Sequence, residues 1–155
     1  MKTKIITILI LCCIAGIANA TIVDITVATD KESYLIGEEV IVSVIAYNPN
    51  PEPVTLGFSS SLVASYLMDD TYDWAEGRIF QPVSLQITIQ PYNFKTKELL
   101  HGYDEMAIYP LDVGIHTVTG EFVGYGHSAP LQFEVIPEPT TLLLFGLGAL
   151  LLRSC

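Results

Sequence analysis

Histidine and serine are the side chains of this sequence best suited to catalytic or metal chemistry, but their spacing predicts neither. His101, His116 and His127 lack the H-x-x-x-H and H-E-x-x-H spacings that bring two imidazoles onto one metal. The run Ser59-Ser60-Ser61 lacks the flanking glycines of a nucleophile elbow and is typical of a polar loop. We therefore predict a non-enzymatic protein with no cofactor and no metal. A hydrolase, the alternative, needs a pocket that holds His101 or His127 beside a carboxylate.

The densest group of carboxylates consists of Asp69, Asp70, Asp73 and Glu76. Calcium takes about six to eight oxygen ligands, which a turn rich in carboxylates can supply. The group lacks the D-x-D-x-D-G order of the usual calcium loop. Two interpretations stay open: a calcium-binding turn, or a solvated hairpin turn without a metal.

Four aromatic residues are candidates for contact with a partner protein: Tyr72, Trp74, Phe80 and Tyr125. Tryptophan and tyrosine supply much of the binding energy in protein–protein contacts. Trp74 is the single tryptophan, so it either contacts a partner or fills the core between two sheets. Tyr125 has a glycine on each side, which is typical of an exposed hairpin tip, and the alternative is an ordinary turn.

Short stretches between turn residues must position these side chains. In each stretch apolar and polar residues alternate or β-branched residues dominate, with Asn, Asp, Gly and Pro in between. The predicted strands are 21–29, 40–47, 54–58, 62–68, 83–89, 94–100, 114–122 and 130–136. The predicted turns are 30–33, 48–53 and 69–73. No stretch between 21 and 136 has a convincing helical period, so we predict an all-β antiparallel sandwich.

One local motif bears on the kind of sandwich. Asp112-Val113-Gly114-Ile115-His116 has the form D-x-G-x-Y of the tyrosine corner, with histidine in the place of tyrosine. In Ig-like sandwiches the ring at this corner packs and bonds to upstream backbone. His116 either makes the same bond through a ring N–H or faces solvent beside an ordinary turn.

The acidic balance of the chain limits its partners. The 155 residues include 7 Lys and Arg against 17 Asp and Glu, a formal net charge of −10. Residues 21–136 alone hold 4 basic and 16 acidic side chains. Such a surplus disfavours nucleic acid and anionic lipid as partners. The cysteines are Cys12, Cys13 and Cys155, so no disulfide is predicted within 21–136.

The first twenty residues have the pattern of a cleaved export signal. Lys2 and Lys4 form a positive start, and the apolar stretch 5–17 follows. Ala18 and Ala20 then supply the small residues of a cleavage site. We predict a signal peptide over 1–20 and a mature chain that begins at Thr21.

The last nineteen residues contain Pro137-Glu138-Pro139, the uncharged stretch 140–152 and one cation, Arg153. Proline is favoured in the first turn of a helix, and an all-round apolar helix needs burial on every side. We predict a transmembrane helix here, although thirteen residues give only about 20 Å of helix. This segment resembles the PEP-CTERM sorting signal of bacterial exported proteins. The resemblance implies recognition by an exosortase-type enzyme, membrane anchorage through the helix, and delivery to the cell surface or exterior after processing.

The middle of the chain resembles the BsuPI type of intracellular proteinase inhibitor domain. The resemblance is carried by N-P-N-P-E-P-V-T-L-G-F, S-Y-L-M-D-D, Y-D-W-A-E-G-R-I-F, S-L-Q-I-T-I-Q-P and P-L-D-V-G-I-H-T-V-T-G-E-F. Tyr72 stands where the family usually has Trp, Ala75 where it has Ser, and His116 where it has Tyr. The resemblance implies an Ig-like fold and a subtilisin-type serine protease as the partner.

The sequence thus predicts three parts: a signal peptide over 1–20, an Ig-like β-sandwich over 21–136, and a sorting signal over 137–155. The first functional hypothesis is an exported, non-enzymatic binding domain of the proteinase inhibitor kind. The second is a structural or adhesive component of the cell surface or of an extracellular polysaccharide matrix. Protease inhibition and retention in the matrix distinguish the two.

Overall fold

The computed structural model describes residues 22–139. These residues form short strands and a single six-residue helix. In chain order the elements are β1 (Asp24–Thr29), β2 (Ser33–Leu35), β3 (Val40–Tyr47), β4 (Val54–Phe58), β5 (Ala64–Met68), β6 (Tyr72–Asp73), β7 (Leu85–Ile89), β8 (Phe94–His101), α1 (Tyr103–Ile108), β9 (Gly114–Phe122), β10 (Gly126–His127) and β11 (Leu131–Ile136). Within 22–139, no helix has the length and apolarity that a membrane crossing requires.

The strands form several sheets in a sandwich-like arrangement. One sheet has the order β1-β3-β8, and another has the order β2-β11-β9-β5-β6 with β10 paired to β9. A separate pair is β4-β7. All pairings are antiparallel except that of β2 with β11, which is parallel. The predicted all-β class is confirmed.

The core lies between the β1-β3-β8 sheet and the sheet that contains β9 and β5. Alternate residues of β3 are fully buried, and β9 shows the same alternation. The inner side chains of β3 are Val40, Val42, Val44 and Ala46. Those of the opposite sheet include Tyr66, Met68, Val118 and Phe122, each at most 1% exposed. The period of two in the sequence therefore marks the buried face correctly.

Three predicted strands have the observed bounds, namely 40–47, 54–58 and 114–122. The strands predicted at 21–29, 62–68, 83–89 and 130–136 begin later than expected, and that at 94–100 ends one residue later. Two predicted turns are wrong in part. Ser33 begins β2, which pairs with β11, and Tyr72–Asp73 forms β6, which pairs with β5. Strands of two or three residues depend on their partner strand and are too short to show a period of their own.

Helix α1 corrects the prediction that 21–136 contains no helix. It is too short to show a helical period, and Gly102 at its N-cap has no side chain that could bond to the first turn. The Glu105 carboxylate accepts a hydrogen bond from the Gly102 N–H at 3.1 Å, which stabilises the first turn.

Several sequence predictions lie outside the described residues: the signal peptide over 1–20, its cleavage residues Ala18 and Ala20, and the transmembrane helix over 140–152. Of the sorting signal, residues 137–139 are described. They follow β11 directly, and Glu138 and Pro139 are exposed.

Candidate functional site

Asp69 lies in the turn between β5 and β6 and has an unusual backbone conformation. Its φ is 49° and that of Asp70 is 54°. The Thr71 N–H donates to the Met68 carbonyl at 3.0 Å across this turn. Two successive positive φ angles are typical of a type I′ hairpin turn, which Asp tolerates better than most residues.

In this conformation the Asp69 carboxylate contacts β9 and the end of α1. Its Oδ2 accepts from His116 Nδ1 at 2.7 Å and from the Tyr109 hydroxyl at 3.1 Å. Its Oδ1 accepts from the Thr117 N–H at 2.7 Å. Burial favours the neutral acid, but these three donors together outweigh burial and lower the pKa of Asp69.

His116 is held between two acceptors. Its Nε2 donates to the Asp112 carbonyl at 2.7 Å, which is the upstream bond expected of a tyrosine corner. Its Nδ1 donates to Asp69, so both ring nitrogens carry a proton and the ring is an imidazolium. Burial opposes this charge, but the bonds to Asp112 and Asp69 prevail and raise the pKa of His116. Of the two interpretations of this residue, the structure supports the backbone bond.

His101 is fully buried and neutral. Its Nε2 donates to the Tyr109 carbonyl at 3.1 Å, and its Nδ1 accepts from the Tyr66 hydroxyl at 2.9 Å. Burial lowers the pKa of His101. The ring is enclosed by Tyr66, Tyr72 and Tyr109. His101 therefore connects Tyr66 to Tyr109 through buried hydrogen bonds.

The segment after β6 forms a turn that projects from this aromatic group. The Trp74 N–H donates to the Tyr66 carbonyl at 3.0 Å, and the Asp73 carboxylate accepts from the Ala75 N–H at 2.9 Å. The Trp74 indole N–H donates to the Leu100 carbonyl at 3.3 Å. These bonds connect both the backbone and the side chain of Trp74 to neighbouring strands.

Arg78 closes the turn over Trp74. Its Nε donates to the Trp74 carbonyl at 2.7 Å, and its guanidinium carbon lies 4.1 Å from the centre of the Trp74 rings. Arg78 also forms an ion pair with Glu105, a buried residue of α1. The next residue, Ile79, is 99% exposed. We call residues 73–80 the Ile79 turn. It exposes one apolar side chain to solvent, and the contacts of Arg78 with Trp74 and Glu105 fix the rest of the turn.

The aromatic residues predicted to contact a partner lie mainly at the base of this turn. Tyr72, Trp74 and Phe80 are half-buried, and Tyr72 stacks on Tyr109 with ring centres 5.5 Å apart. Tyr125 is distant in sequence and also half-buried. It lies in the turn of the β9–β10 hairpin, as one interpretation expected, but its hydroxyl accepts from the Gly57 N–H at 2.6 Å and its side chain is not exposed. Among the predicted residues the structure brings Tyr72, Trp74 and Phe80 together.

Two of the four carboxylates predicted as a possible calcium site, those of Asp69 and Asp73, form hydrogen bonds within the fold. Asp69 contacts His116, and the Asp73 Oδ1 accepts from the Ser65 hydroxyl at 2.9 Å. The described part of the chain contains no group of three or more acidic, histidine or cysteine side chains that could hold a metal ion. Asp69 and Asp73 therefore connect the β5–β6 hairpin to β9 and to β5 itself.

His127 does line a cavity with carboxylates, which is the condition set for the hydrolase alternative. The cavity has a volume of about 170 Å³ and includes Asp73, Glu121 and Ser65. Ser65 donates its hydroxyl proton to Asp73 and makes no described contact with His127. The described contacts of this cavity thus include a serine–carboxylate bond but no serine–histidine bond.

Sequence reasoning missed the residues that shape the Ile79 turn and its support. Arg78, Ile79 and Glu105 had no pattern that set them apart, because the ion pair joins positions 27 residues apart. The pairing of Asp69 with His116 joins positions 47 residues apart and was equally hidden, although Asp-Asp is a recognisable turn signal.

Comparison with known proteins gives one match in sequence. Residues 135–154 match the PEP-CTERM protein-sorting motif. The match begins within β11 and includes Pro137, Glu138 and Pro139. The sequence has no match among curated proteins.

Similar solved structures include three unrelated proteins. An alkylpurine DNA glycosylase from Pseudomonas fluorescens, bound to DNA, is 15% identical with a TM-score of 0.46, covering 74% of this chain and 30% of its own. A β-glucosidase from Erythrobacter marinus is 9% identical with a TM-score of 0.44, and the match covers 74% of this chain and 16% of the β-glucosidase. A CARDB domain from Pyrococcus furiosus, in complex with di-metal ions, is 8% identical with a TM-score of 0.44. The match covers 74% of this chain and 87% of the CARDB domain. The described chain thus spans less than a third of the two enzymes, and these likenesses assign neither activity nor partner.

The sequence match is therefore the functional finding from comparison. The chain carries a PEP-CTERM motif, which supports sorting to the cell surface through the exosortase pathway.

Proposed function

We propose that this protein is an exported, surface-sorted binding domain of the proteinase inhibitor kind, without enzymatic activity. Residues 21–136 form the binding domain, an Ig-like sandwich, between a signal peptide over 1–20 and a sorting segment over 137–155. The observation that carries the proposal is the Ile79 turn, which presents one fully exposed apolar side chain on a fixed base.

A protease inhibitor must enter an active site without being cut rapidly. A rigid loop does so because it loses little conformational entropy on binding and does not relax after attack. The bond from Arg78 to the Trp74 carbonyl crosses the Ile79 turn, and the Trp74 indole bond to Leu100 attaches the turn to β8. Ile79 then offers an apolar side chain to an apolar pocket of a subtilisin-type serine protease. In this arrangement Tyr72, Trp74 and Phe80 support the turn from below.

The test is a titration of a subtilisin-type protease with the full chain in neutral detergent. Residual protease activity and the mass of the chain are followed together. We expect stoichiometric loss of activity with the chain intact, and recovery of activity with Ile79→Asp. Ile115→Asp is the matched control, because Ile115 is also an exposed isoleucine, at 70%, but lies on β9. Unchanged activity, or rapid cleavage at the Ile79 turn, would refute the inhibitor proposal.

The sorting segment is tested separately in cells that contain an exosortase. We expect the chain to be shortened near residue 137 and released from the membrane. Replacement of Pro137, Glu138 and Pro139 by alanine should leave the full-length chain in the membrane fraction. Pro130→Ala, in an exposed proline outside the motif, should be processed normally. Equal processing of both variants would argue against recognition of the motif.

A second function is favoured by the charge of the domain. Residues 21–136 carry 16 acidic against 4 basic side chains, which keeps an exposed domain soluble at high local concentration. In this alternative the protein is a structural or adhesive component of the cell surface or of a polysaccharide matrix. It predicts no inhibition of any protease and retention of the chain in the matrix fraction.

A further inference from the structure

A groove separates β7 from β8, where a continuous sheet would pair them. The two strands follow one another across a short turn, yet β8 pairs with β3 and β7 pairs with β4. Residues 86–88 and 95–97 line opposite sides of the groove, Phe122 lies at its floor, and its volume is about 310 Å³. Asn48 supports the separation, because its amide donates to the Ile89 carbonyl at 3.1 Å at the end of β7.

The groove continues along β8 toward the Ile79 turn. A second cavity of about 120 Å³ is lined by residues 97–99 of β8 on one side and by 61–64, Trp74 and Phe80 on the other. Lys97 belongs to both cavities. One edge of β8 is therefore open over residues 95–99, and we call this opening the β8 groove.

Both ends of the open edge are closed by side chains. At one end the Phe94 N–H donates to the Asn93 side-chain oxygen at 2.8 Å. At the other end the Leu100 carbonyl accepts from the Trp74 indole at 3.3 Å. Both bonds point away from β3, and in an antiparallel pair alternate residues direct their backbone groups to the same side.

The same alternation assigns Thr96 and Glu98 to the open edge. Within residues 22–139, neither residue has a backbone bond on that side. Their N–H and C=O groups therefore face the β8 groove at a spacing of two residues, which is the spacing of a strand ladder. The open stretch suits an added strand of about five residues.

The groove is lined by two lysines, Lys95 and Lys97, against one carboxylate, Glu98, whereas the domain as a whole is acidic. Lys95 and Lys97 lie opposite Ala46 and Val44, which are fully buried, so both lysines are on the inner face of β8. They are nevertheless exposed, because the groove opens this face. The other Lys and Arg residues of 22–139 are in ion pairs, Lys31 with Glu38 and Arg78 with Glu105, and His116 is paired with Asp69. Lys95 and Lys97 are thus the described cations without an ion-pair partner.

From these observations we infer that the β8 groove binds an extended acidic polypeptide segment by β-strand addition. Thr96 and Glu98 supply the backbone bonds, as in other strand-addition complexes. Lys95 and Lys97 select Asp or Glu at alternate positions of the added strand, where cross-strand charges lie opposite. This binding surface goes beyond the proposed protease contact, which uses Ile79.

The probe is a fluorescein-labelled, capped peptide of alternating valine and glutamate, about six residues long. Fluorescence anisotropy is measured with the full chain in neutral detergent, without protease. We expect saturable binding that weakens with salt, and slower amide hydrogen exchange at Thr96 and Glu98. The double variant Lys95→Gln/Lys97→Gln should bind about tenfold more weakly, because two opposite-charge contacts are lost.

The matched control is Lys31→Glu, which changes the net charge by the same amount but lies outside the groove; it should bind as the unchanged chain does. A peptide with proline in place of valine should not bind, because proline cannot donate to a strand ladder. Equal binding of the proline peptide, or no difference between the double variant and the control, would overturn strand addition at this edge. Binding of an acidic polysaccharide such as alginate in place of the peptide would also overturn it. A complete lack of peptide binding, together with self-association of the double variant, would overturn it as well. In that case the two lysines only protect an exposed strand edge from pairing with another copy of the chain.

Discussion

The Nδ1 of His116 lies 2.7 Å from the Oδ2 of Asp69, and this contact joins a hairpin turn to the start of a strand in the same sheet. His116 lies at the centre of the part of β9 that pairs with β11, and Asp69 follows β5, which pairs with the C-terminal half of β9. Because the other ring nitrogen donates to Asp112, the imidazolium is fixed at both ends. A protonated histidine thus takes the place that tyrosine has in a tyrosine corner.

The stability of the fold should depend on pH through this pair. The folded-state pKa of His116 is raised above its ordinary 6.5, so its contribution is complete below that value and is lost as the pH rises through the folded pKa. The pKa of Asp69 is lowered below 3.8, so its contribution is complete above that value and is lost as the pH falls through the folded pKa. Asp69 and His116 therefore both contribute fully to the stability of the fold between pH 3.8 and pH 6.5.

His101 has the opposite dependence, so the His116 contribution must be measured by difference. The pKa of His101 is lowered, and its contribution is lost as the pH falls below 6.5. We expect His116→Gln to reduce the free energy of unfolding more at about pH 5.5 than at about pH 9. Denaturant unfolding of the full chain in detergent at both pH values measures this. His127→Gln, in an exposed histidine, should show no such difference; a constant loss for His116→Gln would contradict an imidazolium.

Asp69→Ala should be far more harmful than Asp70→Ala. Both residues have positive φ, so each substitution adds a similar backbone strain. Only Asp69 accepts the bonds of His116, Tyr109 and Thr117. Its removal leaves a charged ring without its partner, at a cost of about 3 kcal/mol in the free energy of unfolding. Equal losses for the two variants in denaturant unfolding would assign the effect to the turn backbone alone.

The sequence predicted the parts of this fold that depend on local pattern. Alternation located β3, β4 and β9 to the residue, and the motif around Gly114 gave the backbone bond of His116 as one of two interpretations. It did not locate β2 or β6, whose few residues form strands only because β11 and β5 lie beside them. The partner of His116 was also hidden, because contact between positions 69 and 116 depends on the packing of whole strands.

The candidate surfaces were predictable to a smaller extent. Trp74 and its aromatic neighbours stood out by composition, but their place below Ile79 depends on Arg78 and Glu105. The lysines of β8 were visible in the sequence as part of a strand. Their exposure on its inner face could not be read from alternation, since it results from the separation of β7 and β8.

Arg78→Ala should loosen the Ile79 turn while leaving the sandwich folded. The variant loses the contact with the Trp74 ring, the bond to the Trp74 carbonyl and the ion pair with Glu105. Because the arginine is partly exposed, we expect a loss of about 1 kcal/mol in the free energy of unfolding. Amide hydrogen exchange should accelerate at residues 74–80 and in α1. Lys31→Ala, which breaks the exposed pair with Glu38, should not alter exchange there; an unchanged pattern for Arg78→Ala would show that Trp74 alone fixes the turn.

Gly120 is the position where the two main sheets approach most closely among the described glycines, and Gly120→Ala should destabilise the sandwich. A Cβ at Gly120 would lie 3.0 Å from both methyl carbons of Val44 and 3.2 Å from the Cβ of Val27. Val44 is fully buried and the Val27 Cβ is fixed by the backbone, so neither can move away freely. Overpacking of this kind costs about 1–3 kcal/mol. Gly57→Ala is the matched control, because Gly57 is also within a strand and has no atom within 4 Å of an added Cβ. Thermal and denaturant unfolding of both variants should show a loss for Gly120→Ala alone, and equal midpoints would mean that β9 can shift away from β1 and β3 at no cost.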